Sequence, residues 1–194
     1  MLGETKAQAI ARHILTRSTA DQTEVLILSE ESGLTRFANS YIHQNVAETN
    51  CEVRLRVVVG KKIGVAATND ISDDGLRRVL ESAMTIARLQ QENPHFASLP
   101  APVASYPAVN AFSEQTAGAT PVERAQAVET ICKKCIAAGV IGSGALSTAV
   151  NEYMVANSLG VLAYVATTRA EASTVVMSDT GSGYAEAVSI NIGD

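Results

Sequence analysis

The feature that most constrains this chain is an alternation of period two that stops at three residues and then starts again. Val53, Leu55, Val57 and Val59 alternate with Arg54 and Arg56, and beyond Gly60-Lys61-Lys62 the alternation resumes at Ile63, Val65 and Ala67. A period of two sends successive side chains to opposite faces of a strand. Two such runs joined by a short glycine-containing tip read as a β-hairpin. The glycine and lysines do not read as a phosphate loop, which needs GxxxxGK[ST] opening a helix whose N-terminal N–H groups face the anion. The lysines are expected to be the solvated tip. Arg54 and Arg56 share one strand face and are expected to be solvated as well, as exposed charge ordinarily is.

Around this hairpin the periodicity changes kind. Ala7, Ile10, Ala11, Ile14 and Leu15 fit a short amphipathic helix, and the strand-like runs TEVLILSE, LTRFAN (after Ser32-Gly33) and YIHQNVAET follow it. Past the hairpin, Asp70-Ile71-Ser72 offers a helix cap. Leu76, Val79, Leu80, Ala83, Ile86 and Ala87 then repeat at helical spacing until Asn93-Pro94. Tight turns between successive strands imply antiparallel neighbours, so the expectation is a sheet with one face covered by both helices.

All five prolines lie between positions 94 and 121, in a stretch without sustained periodicity. Such a stretch reads as a linker or a strap. It predicts a first domain over 1–93, a Pro-rich linker over 94–119 and a second α+β unit over 120–194. In that second unit Thr120, Pro121 and Glu123 spell an N-cap, an N1 proline and a capping box. Val122, Ala125, Val128, Ile131, Cys132, Cys135 and Ile136 then form the expected apolar stripe, with Gly139 at C′. The strand-like runs ALSTAVNEYMVANS, VLAYVATTRAEASTVVMS and GYAEAVSINI complete it. The fold class expected is α+β, as two small units, each a mostly antiparallel sheet covered by helices.

Composition removes several functions. With 194 residues, 46% hydrophobic content and a formal charge of −5, the chain can bury one or two cores, and it offers no basic patch for nucleic acid. The N-terminus has no continuous apolar h-region, and no apolar run approaches the ~18 residues of a membrane span. Three cysteines do not build a secretory disulfide framework. A soluble, cytoplasmic protein with no direct nucleic-acid or membrane partner is expected.

Local motifs for chemistry are sparse. Cys132-Lys133-Lys134-Cys135 lies about three turns beyond the cap at Thr120, so it lacks the helix-dipole help of a redox CxxC. Two cysteines at i and i+3 within a helix stand ~5–6 Å apart at Cβ, wider than a disulfide prefers. Both are expected to be small core residues. His13, His43 and His95 do not lie at metal-ligand spacing, and each is expected to be structural or solvated. Gly-Ser-Gly at 142–144 and at 181–183 lacks the GxSxG elbow and is expected to be loop chemistry. The residues themselves therefore give no catalytic, cofactor-binding or metal-binding positions.

The stretch from Thr23 to Leu99 resembles the N-terminal domain of the TldD/PmbA family. The resemblance lies in GLTRFANSYIHQ, the Arg-Val-Val hairpin with its Gly-x-x-x-Gly turn, the Ala-x-Thr-Asn exit, the helix and the later Leu-Pro. VANSLGVLAYVATTRAEASTVVMSDTGSGYAEA is similar to the family's central domain, with Asn157-Ser158-x-Gly160 between two strands. Members are also called modulators of DNA gyrase, and the metal-bearing ones are zinc metallopeptidases with HExxxH on a helix. That motif is absent here.

The resemblance implies the N-terminal portion of a metallopeptidase-family protein, shaping the peptide chamber and subunit interface of a proteolytic assembly. No cofactor is expected in this chain; the zinc site would lie in a C-terminal region or a partner subunit. Peptide substrates and a homo- or hetero-oligomer with a TldD/PmbA-type subunit are the implied partners. The chain alone is expected to retain no zinc and to cleave no peptide, and the 120–194 unit is expected to be truncated. The alternative is a non-enzymatic interaction module of the PmbA/TldE type. Direct gyrase binding finds no supporting residue, and a redox role for Cys132 and Cys135 is the remaining reading.

Overall fold

The computed structural model describes residues 1–194. In chain order the elements are α1 (Glu4–Arg17), β1 (Gln22–Ala38), β2 (Tyr41–Val59), β3 (Lys62–Thr68), α2 (Asp73–Leu89), α3 (Glu114–Ala117), α4 (Pro121–Ala137), β4 (Ile141–Asn157), β5 (Leu162–Met177) and β6 (Ser182–Ser189). The strands form one antiparallel sheet in the order β3-β2-β1-β4-β5-β6, and the class is α+β. No helix is long and apolar enough to cross a membrane.

The strands are longer than the sequence runs. TEVLILSE and LTRFAN are one strand, β1, and YIHQNVAET is continuous with the first arm of the hairpin in β2. Ser32-Gly33 does not interrupt β1, because the alternation keeps its parity across it: Thr23, Val25, Ile27 and Ser29 are buried, and so are Gly33, Thr35 and Phe37. Two tight turns set the register. Asn39 and Ser40 both adopt positive φ, 52° and 57°, as a type I′ turn requires. Gly60, at φ 62°, begins the two-residue tip between Val59 and Lys62, which face each other across β2 and β3.

Long strands also decide how the chain divides. One compact unit comprises Met1–Ser29, Asn50–Val109 and Glu152–Val165, and the other Glu30–Thr49, Asn110–Asn151 and Ala166–Asp194. The proline-rich stretch is thus shared between the units rather than lying between two consecutive domains, because β1, β2, β4 and β5 each contribute to both units. The stretch also contains α3, whose cap is Ser113.

In the first unit, Ile10, Ala11 and Ile14 of α1 and Leu76, Val79, Leu80 and Ala83 of α2 pack on Val25, Ile27, Val53, Leu55, Val57 and Met154. Fully burying a side chain the size of Ile27 or Leu55 contributes about 2 kcal/mol. Helix α2 starts where the sequence predicts, with Ser72 accepting the Gly75 N–H at 3.1 Å.

The second unit has a smaller core of Phe37, Val128, Cys132 and Leu146. The capping box of α4 is complete: Thr120 Oγ1 accepts the Glu123 N–H at 3.2 Å, and Glu123 accepts the Thr120 N–H at 2.7 Å. At the other end, Val140 N–H donates to Cys135 O and Gly139 N–H to Ile136 O, with Gly139 at φ 68°, which is the Schellman pattern. Thr120→Ala is expected to cost about 1 kcal/mol, read as a lower urea midpoint with an unchanged slope. The inward stripe of α4 is Arg124, Val128, Cys132 and Cys135, whereas Val122 and Ile136 are exposed. The helix is therefore turned relative to the apolar stripe expected from its sequence, with an arginine in the first buried position.

Candidate functional site

The residue types that ordinarily carry chemistry are dispersed. His13 lies on α1, its ring 2.8 Å from the Arg17 guanidinium and 3.9 Å from the Asp73 carboxylate of α2. His43 is on an exposed part of β2, and His95 is in the turn after α2, where its N–H donates to the Asn93 side chain. Cys132 and Cys135 are free thiols, each 5% exposed, and burial pushes the Cys132 thiol above its ordinary range. Arg54 pairs with Glu52 and Arg56 with Glu24. No three His, Cys, Asp or Glu side chains are grouped to hold a metal ion. The side chains of this chain do not fit a zinc ion.

Gly-Ser-Gly at 142–144 is strand, not loop. A Cβ at Gly142 would stand 2.7 Å from Cys135 Sγ, and one at Gly144 would run into the Ser173 carbonyl oxygen. These glycines let α4 and β5 approach β4. At 181–183 only Gly181 lies in the turn, where Ser178 N–H donates to its carbonyl oxygen at 2.9 Å, and Ser182 and Gly183 already belong to β6.

What the sheet does offer is an open edge in the second unit. β6 pairs only with β5, over Ala170↔Ser189 to Met177↔Ser182. Its residues from Ser182 to Val188 are exposed on both faces, Tyr184 at 64% and Val188 at 54%. Natural edge strands are commonly blunted by lysine, proline, a bulge or a covering helix. β6 reads SGYAEAVS, with a single charge, Glu186, and no lysine or proline, and its pairing with β5 runs without a bulge. Residues 41–49 of β2 lie outside the span paired with β3, Val53 to Val59, and are a second open edge of this unit.

The turn at Ser178 and Gly181 fixes which groups point outward. In an antiparallel pair, hydrogen-bonded and non-hydrogen-bonded positions alternate. Since Ser178 bonds to Gly181, the β6 residues whose N–H and C=O face β5 are 183, 185, 187 and 189. Tyr184, Glu186 and Val188 therefore turn their main-chain groups to the free side. The phenol of Tyr184 donates to Glu186 at 2.9 Å, which holds two adjacent side chains of that register together. Hydrogen bonding to Glu186 raises the Tyr184 pKa above its ordinary range.

The far end of β6 is pinned by buried hydroxyls. Thr116 and Thr168, 2% and 4% exposed, both donate to Ile190 O at 2.9 and 2.8 Å, and Ile192 N–H donates to Thr116 Oγ1. Ser113 N–H in turn donates to Thr168 Oγ1 at 2.9 Å. These threonines carried no functional weight in the sequence, where threonine reads as an ordinary strand or cap residue. Their role follows from two distant segments meeting, which no local pattern encodes.

Comparison with known proteins gives a consistent result. Residues 23–87 match the family described as PmbA/TldA metallopeptidase domain 1. Among solved structures, the chain is similar to TldE from Thermococcus kodakarensis, with 16% identity and a TM-score of 0.80, over 93% of this chain and 42% of that one. It is also similar to a proposed modulator of DNA gyrase from Bacteroides thetaiotaomicron, with 13% identity and a TM-score of 0.83, over 100% of this chain and 47% of that one. A proposed modulator of a DNA gyrase from Thermotoga maritima gives 12% identity and a TM-score of 0.81, over 96% of this chain and 44% of that one. The chain thus spans less than half the length of each of these structures. No curated protein sequence matches it.

Proposed function

Because residues 23–87 match the first domain of the TldD/PmbA family, we propose that the chain is a member of that family and forms a wall of a peptide-processing assembly, with β6 as the strand against which an extended peptide lies. The observation that carries this reading is the open outer edge of β6, without lysine, proline or bulge, with the main-chain groups of Tyr184, Glu186 and Val188 turned outward. Main-chain bonds to a sheet edge hold a peptide largely regardless of its side chains. That suits substrates recognised by extension rather than by sequence. Bond breaking is assigned to residues outside this chain, in keeping with the lack of HExxxH here. The assembly would be cytoplasmic and would pair this chain with a TldD/PmbA-type subunit. The second open edge, residues 41–49 of β2, supports a subunit interface and with it the alternative of a non-enzymatic interaction module.

A proline pair tests the edge. Proline at 188 removes an outward N–H, whereas proline at 187 removes an N–H that bonds β5, and edge strands tolerate the first kind only. Val188→Pro is expected to keep the fold, by circular dichroism, and to weaken binding of a labelled unstructured peptide about tenfold, the equivalent of about 1.4 kcal/mol. Ala187→Pro is expected to loosen the β5–β6 hairpin itself. Undiminished binding by folded Val188→Pro overturns the reading.

A further inference from the structure

Arg124 occupies a position where a cation is costly. It stands in the first turn of α4, is 3% exposed, and heads a stripe that is otherwise Val128, Cys132 and Cys135. A positive side chain at a helix N-terminus opposes the helix dipole, and burying a charge costs far more than its packing returns. Its Nη1 donates only to neutral acceptors, Ala119 O at 3.0 Å and Thr148 Oγ1 at 3.1 Å, and its Nε is buried without a partner. The strand beneath is cut back to admit it: a Cβ on Gly33 would lie 2.5 Å from the guanidinium carbon.

The same arginine lines a cleft of about 230 Å³ within the second unit, and Glu31, Glu48, Thr49, Thr116 and Thr148 also contribute to the wall. This mixture of signs restricts the occupant. A simple anion would meet Glu48, and a simple cation would meet Arg124. A ligand carrying a carboxylate and a cation satisfies both. Drug-sized ligands fill pockets of about 300–1,000 Å³, so this smaller cleft suits one or two amino-acid residues. Arginine meets a carboxylate through two parallel N–H···O bonds, which gives direction as well as attraction.

We propose that the Arg124 cleft binds the free carboxyl terminus of a short basic peptide, with the peptide's cationic side chain toward Glu48. The proposal rests on the peptide reading above for its ligand class, but it uses a different site from the β6 edge. The dipeptide Ala-Lys, its C-terminal amide and Ala-Leu are suitable probes, titrated calorimetrically into the whole chain. Ala-Lys is expected to bind, and the amide at least about tenfold more weakly, a loss of about 1.4 kcal/mol or more. Glu48→Gln is expected to weaken Ala-Lys several-fold and leave Ala-Leu unchanged. Arg124→Gln is expected to abolish carboxylate dependence; should that variant fail to fold, the comparison of acid with amide on the unaltered chain decides. Equal binding of acid and amide, or no binding of Ala-Lys at millimolar concentration, overturns the proposal. Val188→Pro should leave Ala-Lys binding intact, so undiminished binding of the long peptide by that variant counts against the edge and not against this cleft.

Discussion

Glu152→Ala is expected to lower the stability of the chain by about 3 kcal/mol, the scale of losing several hydrogen bonds to one buried charge. Glu152 is 3% exposed and starts the half of β4 that belongs to the first unit. Its carboxylate accepts the N–H groups of Leu2 at 2.6 Å and Gly3 at 2.8 Å, and the Tyr164 hydroxyl at 2.6 Å. Removing it leaves those donors facing a buried gap and releases the segment that leads into α1, which carries Ile10, Ala11 and Ile14 into the core. Burial pushes the Glu152 carboxyl up, but the bonds from Tyr164, Gly3, Leu2 and Ser29 together outweigh it, and the net shift is downward. The phenol of Tyr164 is displaced upward by its own burial and by the same carboxylate.

The sign of the pH dependence follows. A carboxyl with a depressed folded pKa contributes stability that is present above its unfolded value, about 4.3 for Glu, and is lost as pH falls through the folded value. The difference in urea midpoint between the unaltered chain and Glu152→Gln is therefore expected to be full at neutral pH and to shrink below about pH 4. A difference independent of pH would mean that Glu152 acts through packing rather than through its charge.

Gly64→Ala is expected to cost a similar amount for a steric reason. β3 and α2 approach so closely that a Cβ at Gly64 would run into the Ala83 carbonyl oxygen and lie 2.5 Å from the Ala87 nitrogen. Both are helix backbone, so no side chain can rotate aside and α2 must lift from the strand. Forced overpacking of this kind costs about 1–3 kcal/mol and sometimes more. Gly60 supplies the comparison: a Cβ there meets nothing within 4 Å, although its φ is 62°. Its left-handed conformation alone should cost Gly60→Ala about 1 kcal/mol. Thermal unfolding that ranks Gly60→Ala as the worse variant would contradict the close β3–α2 packing.

The same contrast explains what the sequence could and could not reveal. The hairpin at 53–67, the Ser72 cap and the capping box at Thr120 were legible because each is decided by residues a few positions apart. Ser32-Gly33 looked like punctuation, since glycine and serine favour turns, yet the buried odd positions on both sides kept one parity through β1. Gly33 is there for Arg124, a residue far along the chain. Gly142 and Gly144 mislead in the same way, because the neighbours that exclude a side chain, Cys135 and Ser173, belong to other elements.

The candidate site was less legible still. Nothing within GYAEAVSINI reveals that β6 ends the sheet, since strand order depends on pairings between distant segments. Arg124 reads as a solvated charge until its spacing of four from Val128 and eight from Cys132 is taken as one buried face. The family resemblance was visible because order and spacing along the chain survive where single motifs do not, and the match over residues 23–87 bears it out.

Amide hydrogen exchange on β6, with and without a saturating unstructured peptide, tests the central claim most directly. The amides of Tyr184, Glu186 and Val188, which face away from β5, are predicted to exchange fast in the free chain and to become protected when peptide is added, while those of Ala185 and Ala187 are protected throughout. Outward amides that exchange at the same rate with bound peptide present would contradict the account.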